Sequence, residues 1–231
     1  MSRYKNIVFD VGSVLVNWMR MNLYTTLFHG GREKAKWIID HVVTNEWNDQ
    51  TDLGKPIDEC LFDLKQAYPK YAPYIVAYWY CYKDMDGGEI PGIYEIMCEL
   101  KQRGYRLYCL TNWSHETFPI VKEVHARLFG MFEGIVVSGE EKLIKPNPEI
   151  YQLLLNRYSL QASESIFIDD RQVNVDGANH VGIHGILFTG ALDLKQRLCA
   201  CLQIRHFKEN ETPHMMKALE SSRTLSCKEY L

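Results

Sequence analysis

The sequence predicts an α/β protein built on a doubly wound parallel sheet. Short apolar runs, typical of buried strands, alternate along the chain with helical segments, and the linkers between them are short. Connections of this kind favour parallel strands that are covered by helices on both faces. Several runs end in a polar residue, as at Asp10, Thr111 and Asp169. Because ligands bind at the carboxyl ends of the strands in an open α/β sheet, these residues mark the predicted site.

The first strand is predicted over residues 5–10. Residues 19–88 then differ in character, being rich in aromatic side chains and in apolar positions at helical spacing. We interpret them as an inserted, all-helical subdomain. The predicted catalytic core therefore comprises residues 1–18 and 89–205, and the polar residues 206–231 are predicted to form a flexible tail.

The core elements after the insertion follow local signals. Pro91 favours the start of a helix that Gly104 ends, and Pro119 is expected to kink or restart a later helix. The predicted elements are a helix over 91–103, a strand over 105–110, a helix over 115–129, a strand over 134–138, a helix over 148–158, a strand over 166–169, a helix over 173–180, a strand over 184–188 and a helix over 193–202.

The composition is that of an ordinary globular protein and argues against several classes. The net charge is −3, whereas a nucleic-acid binder usually carries a basic surplus. No apolar run approaches the ~20 residues of a membrane span. Residues 1–5 lead straight into a strand without the apolar region of a signal peptide. Seven cysteines without a Cys-x-x-Cys pair favour a reducing cytoplasm over a disulfide framework or a zinc cluster.

Two motifs place carboxylates at strand ends. Asp10 follows the first apolar run, and Gly12 lets the backbone turn sharply and approach a ligand closely. Asp169 and Asp170 end a later run. Adjacent carboxylates repel each other unless a cation or a proton lies between them. Hard oxygen ligands of this type suit Mg²⁺.

Two further motifs supply hydroxyl, amide and amine groups. Thr111 and Asn112 follow the apolar run at 107–110. Lys145 stands just before a helix that begins with proline, and the N-terminus of a helix favours anions. Together these groups are suited to neutralise and bind the oxygens of a phosphate ester.

The four motifs, in this order, resemble those of the haloacid dehalogenase superfamily over roughly residues 5–200. The resemblance is strongest to small phosphatases whose first motif reads Asp-x-Gly, among them glucose-1-phosphatase-like proteins. It implies a Rossmann-like core with a helical cap at residues 19–88. It also implies a phosphatase that uses Mg²⁺ and forms a phosphoryl intermediate on an aspartate.

The resemblance also assigns residues to the metal site. Asp10 is then the nucleophile and a metal ligand, and the main-chain carbonyl of Gly12 is a second ligand. Asp170 binds Mg²⁺ directly, and Asp169 binds it directly or through water.

Other residues are assigned to the substrate in the same way. Thr111 and Asn112 hold the phosphate, and Lys145 orients the nucleophile and stabilises charge. Asn174 is an open candidate for a supporting residue. Residues 47–54 are a helix end and a turn by their local pattern, and by resemblance they face the active site and help to select the substrate.

One position departs from the superfamily. Most of its phosphatases carry a second aspartate two residues after the nucleophile, as general acid and base, and this chain has Gly12 there. Such help contributes typically about 10²–10⁴-fold in rate. The loss favours a substrate with a good leaving group, such as the anomeric oxygen of a sugar 1-phosphate. Ser13 could relay a proton, but a turn residue is the simpler interpretation.

The sequence therefore predicts a phosphatase for a small phosphorylated metabolite, such as a hexose 1-phosphate. Two alternatives stay open: a hydrolytic 2-haloacid dehalogenase, and a non-catalytic protein that binds a phosphometabolite. The dehalogenase needs no metal, so the pair of Asp169 and Asp170 argues against it. We expect a small phosphate ester as the partner, no nucleic acid, no membrane, and a monomer or a homodimer.

Overall fold

The computed structural model describes residues 3–207, and its main feature is a sheet of five parallel strands. The strands of the chain are β1 (Asn6–Phe9), β2 (Val16–Trp18), β3 (Asp86–Glu89), β4 (Arg106–Thr111), β5 (Gly134–Val137), β6 (Ser165–Asp169) and β7 (His184–Leu187). The main sheet has the order β5-β4-β1-β6-β7, and each neighbouring pair is parallel. The predicted doubly wound parallel sheet is confirmed.

Helices account for most of the remaining residues within 3–207. They are α1 (Arg20–Leu27), α2 (Arg32–His41), α3 (Asn45–Asp52), α4 (Ile57–Ala67), α5 (Ala72–Tyr80), α6 (Ile93–Gln102), α7 (Phe118–Val124), α8 (Ala126–Phe129), α9 (Ser138–Glu141), α10 (Pro148–Arg157), α11 (Gln172–His180) and α12 (Ala191–Leu202). Within residues 3–207, no helix combines the length and the apolar character that a membrane crossing needs. Apart from residues 206 and 207, the predicted tail lies outside the described residues.

Alternate residues of the central strands face opposite sides of the sheet and enter two apolar clusters. Ile7 and Phe9 of β1 belong to a cluster that includes Leu198 of α12. Val8 belongs to a second cluster that includes Tyr151 of α10. All of these side chains are fully buried, and each contributes about 1.5–3 kcal/mol of hydrophobic stabilisation. Helices therefore cover both faces, which explains why the strands are continuous apolar runs.

Five helices, α1 to α5, lie in the chain between β2 and β3. These two strands pair antiparallel with each other and form a small second sheet. Neither strand is predicted from the sequence, because each has at most four residues and its partner lies about 70 residues away in the chain. That residues 19–88 form a separate cap stays a prediction.

The predicted helix over 115–129 consists of two helices, α7 and α8. Pro119 falls in the first turn of α7, where its missing N–H would be without a helical partner anyway, so it does not kink the helix. The break lies instead at His125, whose backbone is not helical. The buried His125 ring forms a hydrogen bond with Asp86 of β3 at 2.8 Å, a tertiary contact that the local pattern does not reveal.

Candidate active site

The carboxyl ends of three central strands gather the predicted residues at one edge of the sheet. Asp10 directly follows β1, and its N–H donates to the carbonyl of Ile168 at 2.9 Å. Thr111 ends β4, and Asp169 ends β6. Because β1 lies between β4 and β6, these three ends are neighbours. This is the edge at which open α/β sheets bind ligands.

Lys145 joins two of these strand ends through its side chain. Its Nζ lies 2.7 Å from Asp10 Oδ1 and 2.7 Å from Asp169 Oδ2, and it donates to the carbonyl of Leu110 at 3.0 Å. A buried ammonium needs such partners, because leaving it unpaired costs several kcal/mol. Burial alone lowers the pKa of Lys145, but the carboxylates of Asp10 and Asp169 outweigh burial and raise it above its ordinary value. Lys145 is therefore charged at neutral pH.

The loop that carries Lys145 is held by contacts of its backbone. The Asn112 side chain donates to the carbonyl of Lys145 at 3.0 Å and accepts from its N–H at 2.9 Å. On the other side, a Cβ at Gly177 would lie 2.6 Å from the carbonyl oxygen of Pro146, so only glycine permits this approach of α11. Both amide atoms of Asn112 thus position the loop. Its predicted contact with a phosphate stays a prediction.

Asp169 accepts several hydrogen bonds within the protein. Besides Lys145, it accepts from the N–H of Arg171 at 2.8 Å and from Nδ2 of Asn174 at 3.0 and 3.1 Å. The residue has no solvent exposure. Its oxygens therefore serve mainly to position Lys145 and the start of α11. Asn174, an open candidate in the sequence, lies in direct contact with this site.

Asp10 and Asp170 have oxygens with more freedom to bind a ligand. The pKa of Asp10 is raised to about 7, because burial and the Asp169 carboxylate raise it by more than Lys145 lowers it. Burial also raises the pKa of Asp170, and the charge of Asp169 adds to this rise. A cation between these groups would favour their charged forms.

The carboxylates can hold such a cation together. Asp10, Asp169 and Asp170 each offer one oxygen atom, and these oxygens lie within 4.8 Å of one another. Three hard, anionic oxygens are a donor set that suits Mg²⁺. Gly12 lies in the turn after β1, where it forms an isolated bridge with Val16, and its role as a carbonyl ligand stays a prediction. Ser13 is exposed at positive φ in the same turn, as a turn residue would be.

The Thr111 hydroxyl is buried and has no hydrogen-bond partner within residues 3–207. A buried polar atom left in this state costs about 1–3 kcal/mol. Thr111 follows Leu110, whose carbonyl accepts from Lys145, so the hydroxyl belongs to the same strand end. A ligand oxygen at this position would offset the cost.

A cavity of about 140 Å³ lies between the helices and this edge of the sheet. Its lining is mostly aromatic and amide or carboxyl in character, and includes Trp18, Asn48, Asp52, Tyr78, Tyr82, Asn112 and Trp113. The Trp18 ring centre lies 5.1 Å from that of Trp113 and 4.6 Å from that of Tyr82. The cavity therefore offers flat apolar surfaces beside a few polar groups.

Sequence reasoning singled out residues 47–54 but missed Trp18 and Ser138. Ser138 follows the apolar strand β5, in the same way as Asp10 follows β1, so a signal for it was present. Its buried hydroxyl donates to the carbonyl of Asp52 at 2.6 Å and accepts from the N–H of Trp113 at 2.9 Å. No sequence pattern indicated Trp18, because its place in the cavity wall depends on strand β2, which was not predicted.

Comparisons with known proteins show which family and which proteins the chain is similar to. Residues 4–182 match the haloacid dehalogenase-like hydrolase family. The chain is 28% identical to the sesquiterpene phosphatase astK of Aspergillus oryzae, over 87% of this chain and 95% of that protein. It is 35% identical to acyl-CoA dehydrogenase family member 10 of Mus musculus, over 79% of this chain but only 18% of that longer protein.

A solved structure shares the fold. It is a haloacid dehalogenase family enzyme from Bacteroides thetaiotaomicron, in complex with magnesium and inorganic phosphate. The TM-score is 0.64, the identity is 20%, and the match covers 81% of this chain and 95% of that one. At this identity the likeness concerns the fold alone.

Proposed function

This chain belongs to the haloacid dehalogenase-like hydrolases, and from that premise we propose that it is a Mg²⁺-dependent phosphatase of a small phosphorylated metabolite. The reaction proceeds through a phosphoryl intermediate on Asp10. The observation that carries the proposal is the contact of Lys145 with both Asp10 and Asp169, beside the exposed carboxyl of Asp170. This cluster combines a nucleophile, a fixed cation and oxygen ligands for a metal.

The chemistry follows from the charges. A phosphate ester is an anion, and a carboxylate cannot approach it unless charge is neutralised. Lys145 is held at 2.7 Å from the Asp10 carboxylate and is charged at neutral pH, so it neutralises part of this repulsion and keeps Asp10 in one orientation. The buried hydroxyl of Thr111 is free to donate to a phosphate oxygen.

Asp10, Asp169, Asp170 and the carbonyl of Gly12 would hold Mg²⁺. When bound, Mg²⁺ supplies positive charge that offsets the negative oxygens of the ester and of Asp10. Asp10 attacks the phosphorus atom, the ester oxygen leaves, and water then releases inorganic phosphate and regenerates the carboxylate.

The cavity supports a small, partly polar leaving group such as a sugar. Its volume of about 140 Å³ is below the roughly 300–1,000 Å³ of a typical ligand pocket. A hexose presents apolar faces to aromatic rings and hydroxyls to amide groups, and the wall offers Trp18, Tyr82 and Asn112 for these contacts.

An isoprenoid alcohol phosphate is a second candidate substrate. The aromatic wall favours it, and the Aspergillus relative is named a sesquiterpene phosphatase. The small volume of about 140 Å³ argues against it, because a sesquiterpenyl chain is larger than a hexose. We therefore rank it behind a sugar phosphate. A cytoplasmic location and a monomeric or dimeric state stay predictions from the sequence.

The test is phosphate release from a panel of esters, with Mg²⁺ and with chelator. The panel contains hexose 1-phosphates, hexose 6-phosphates, glycerol phosphate and a sesquiterpenyl phosphate. We expect release that needs Mg²⁺ and is fastest for a hexose 1-phosphate.

The matched control is Asp10→Asn, which keeps the shape of the side chain. Phosphate binding without release by the wild type would identify a non-catalytic binding protein. Chloride release from 2-chloropropionate, unaffected by chelator, would identify a dehalogenase. Either result would overturn the proposal.

A further inference from the structure

We propose that Asp52, at the end of α3, is the general acid and base of this enzyme, in the role for which Gly12 has no side chain. Its carboxyl protonates the leaving oxygen of the ester and later accepts a proton from the attacking water. The inference rests on the proposed phosphatase function and concerns the same site. It assigns the missing acid to the helical region between β2 and β3.

The first argument is position. Asp52 lines the cavity together with Asn112 and Trp113, the residues that follow β4. Ser138 connects the two sides, because its hydroxyl donates to the carbonyl of Asp52 at 2.6 Å and accepts from the N–H of Trp113 at 2.9 Å. One buried serine therefore ties Asp52 to the loop at the end of β4.

The second argument is the close backbone contact beside Asp52. Gly54 has φ +87°, and a Cβ there would lie 2.7 Å from the carbonyl oxygen of Gly139. A Cβ at Gly139 would in turn lie 2.8 Å from the carbonyl oxygen of Trp113. Three backbone segments pack here with no space for side chains, so the turn after Asp52 has a defined position relative to the core.

The third argument is orientation. Nδ2 of Asn48 donates to Oδ2 of Asp52 at 2.9 Å, and the Tyr78 hydroxyl donates to Oδ1 of Asn48. This chain of hydrogen bonds fixes the carboxyl plane and engages one of its oxygens. Oδ1 of Asp52 is left to carry the proton. The residue is only 7% exposed, so bulk water does not compete effectively for this proton.

The fourth argument is charge. The charged groups that act on Asp52 are Asp49 on its own helix, Arg20 of α1, Asp10 after β1, and Lys145 in the loop before α10. Its pKa is raised to about 7, because burial and the carboxylates of Asp49 and Asp10 raise it by more than Arg20 and Lys145 lower it. Near neutral pH the carboxyl therefore populates both forms, as a group that gives and then takes a proton must.

The proton balance closes over the two steps. In the first step Asp10 forms a bond to phosphorus, the bond from phosphorus to the ester oxygen breaks, and the Asp52 proton moves to that oxygen. In the second step the Asp52 carboxylate accepts a proton from water as the water oxygen bonds to phosphorus. The bond from Asp10 to phosphorus then breaks, and inorganic phosphate leaves. Asp52 is again protonated.

The experiment compares two leaving groups in the variant Asp52→Asn, which keeps the size of the side chain and the contact with Asn48. An alkyl phosphate needs a proton on its leaving oxygen, whereas p-nitrophenyl phosphate does not. We measure kcat/KM, which reports the steps up to departure of the leaving group. The variant is expected to lose about 10²–10⁴-fold on the alkyl ester and less than about tenfold on the aryl ester.

The pH profile gives a second readout. With the wild type, kcat/KM on the alkyl ester should fall as pH rises above about 7, because Asp52 loses its proton. The variant should lack this alkaline decline. The matched control is Asp58→Asn, the same change at an exposed carboxyl in the first turn of α4, which should alter neither substrate.

The outcomes separate the two proposals. Equal losses on both esters with an unchanged pH profile would mean that Asp52 has a structural role, and would overturn the inference while the phosphatase function stands. A variant that hydrolyses the alkyl ester at the wild-type rate would do the same. A wild type that releases no phosphate from any ester would overturn the proposed function and this inference together.

Discussion

Two buried carboxyl sites, one at Asp10 and one at Asp52, differ in the partners that surround the carboxyl group. The strand-end cluster, Asp10, Lys145 and Asp169, places an ammonium at 2.7 Å from each of two carboxylates. In the α3 carboxyl site, Asn48, Asp52 and Tyr78, the amide of Asn48 donates to the Asp52 carboxyl and itself accepts from the Tyr78 hydroxyl. The positive charges of Arg20 and Lys145 lower the pKa of Asp52, but burial raises it by more.

The comparison shows how aspartate can act as a nucleophile at one position and as a proton donor at a nearby one. A carboxylate that must attack an anion needs a positive partner, because burial alone would neutralise it. A carboxyl that must donate a proton needs burial with neutral partners, so that its pKa lies near the working pH. The partners, and not the aspartate itself, decide which role is possible.

The largest expected effect tests whether the strand-end cluster contains the nucleophile. Asp10→Asn should lower kcat by roughly 10⁶-fold on alkyl and aryl esters alike, as removal of a nucleophile does in other hydrolases. Asp52→Asn, in contrast, should separate the two esters. Phosphate release measures the first effect, and thermal unfolding checks that the fold is retained.

The contact between Lys145 and Asp169 remains in Asp10→Asn, so the fold is expected to persist. A variant that keeps activity within about 100-fold of the wild type would mean that another group attacks. The comparison between the two carboxyl sites would then be wrong.

The next prediction tests how much the stability of the strand-end cluster depends on the ammonium group of Lys145. Lys145→Met should lower the free energy of unfolding by about 3–5 kcal/mol, because two buried carboxylates then lack their positive partner. Urea denaturation at neutral pH measures this change. Lys36→Met is the matched control, since Lys36 pairs with Asp40 at the surface and should contribute less than about 1 kcal/mol. Equal effects of the two substitutions would argue against the assigned charge of the cluster.

A pH titration of stability tests the neutral character of the α3 carboxyl site. The pKa of Asp52 rises from 3.8 in the unfolded chain to about 7 in the fold, so its contribution to stability is lost as pH rises through about 7. Asp52→Asn has no such loss. The free energy of unfolding of the variant minus that of the wild type should therefore increase by up to about 4 kcal/mol between pH 4 and pH 8.

Urea denaturation at several pH values follows this difference. A difference that does not change with pH would show that Asp52 is charged throughout, and it would overturn the assignment of Asp52 as a proton donor.

The smallest effect tests the connection between the sites. Ser138→Ala removes the hydroxyl shared by Asp52 and Trp113, and should lower the unfolding free energy by about 1–3 kcal/mol. It should also lower kcat/KM on alkyl esters by up to about 10²-fold, because the Asp52 carboxyl is no longer held in its position relative to the ester.

Ser165→Ala is the matched control for this connection. Ser165 is a buried serine with two hydrogen bonds at the start of β6, away from the site. The control should lose similar stability and keep its activity. A loss of activity in both variants would indicate a general effect on the fold.

Much of the strand-end cluster could be predicted from local sequence. Asp10, Thr111 and Asp169 each end an apolar run, and parallel strands bring such ends to one edge whatever the exact element boundaries are. The parallel arrangement of the sheet also followed from the alternation of strands and helices with short linkers. The places where prediction failed, strands β2 and β3 and the break at His125, depend on contacts between distant segments.

The sequence by itself determined the α/β class, the strand-end residues and the absence of an acid at Gly12, because these depend on residue type and on periodicity along the chain. Only the tertiary structure decided that Lys145 contacts two carboxylates while Asp52 meets an amide. The physical reason is that charge state depends on burial and on neighbours within a few ångströms. For Asp52 those neighbours come from α1, α5 and the strand ends, which are far apart in the chain.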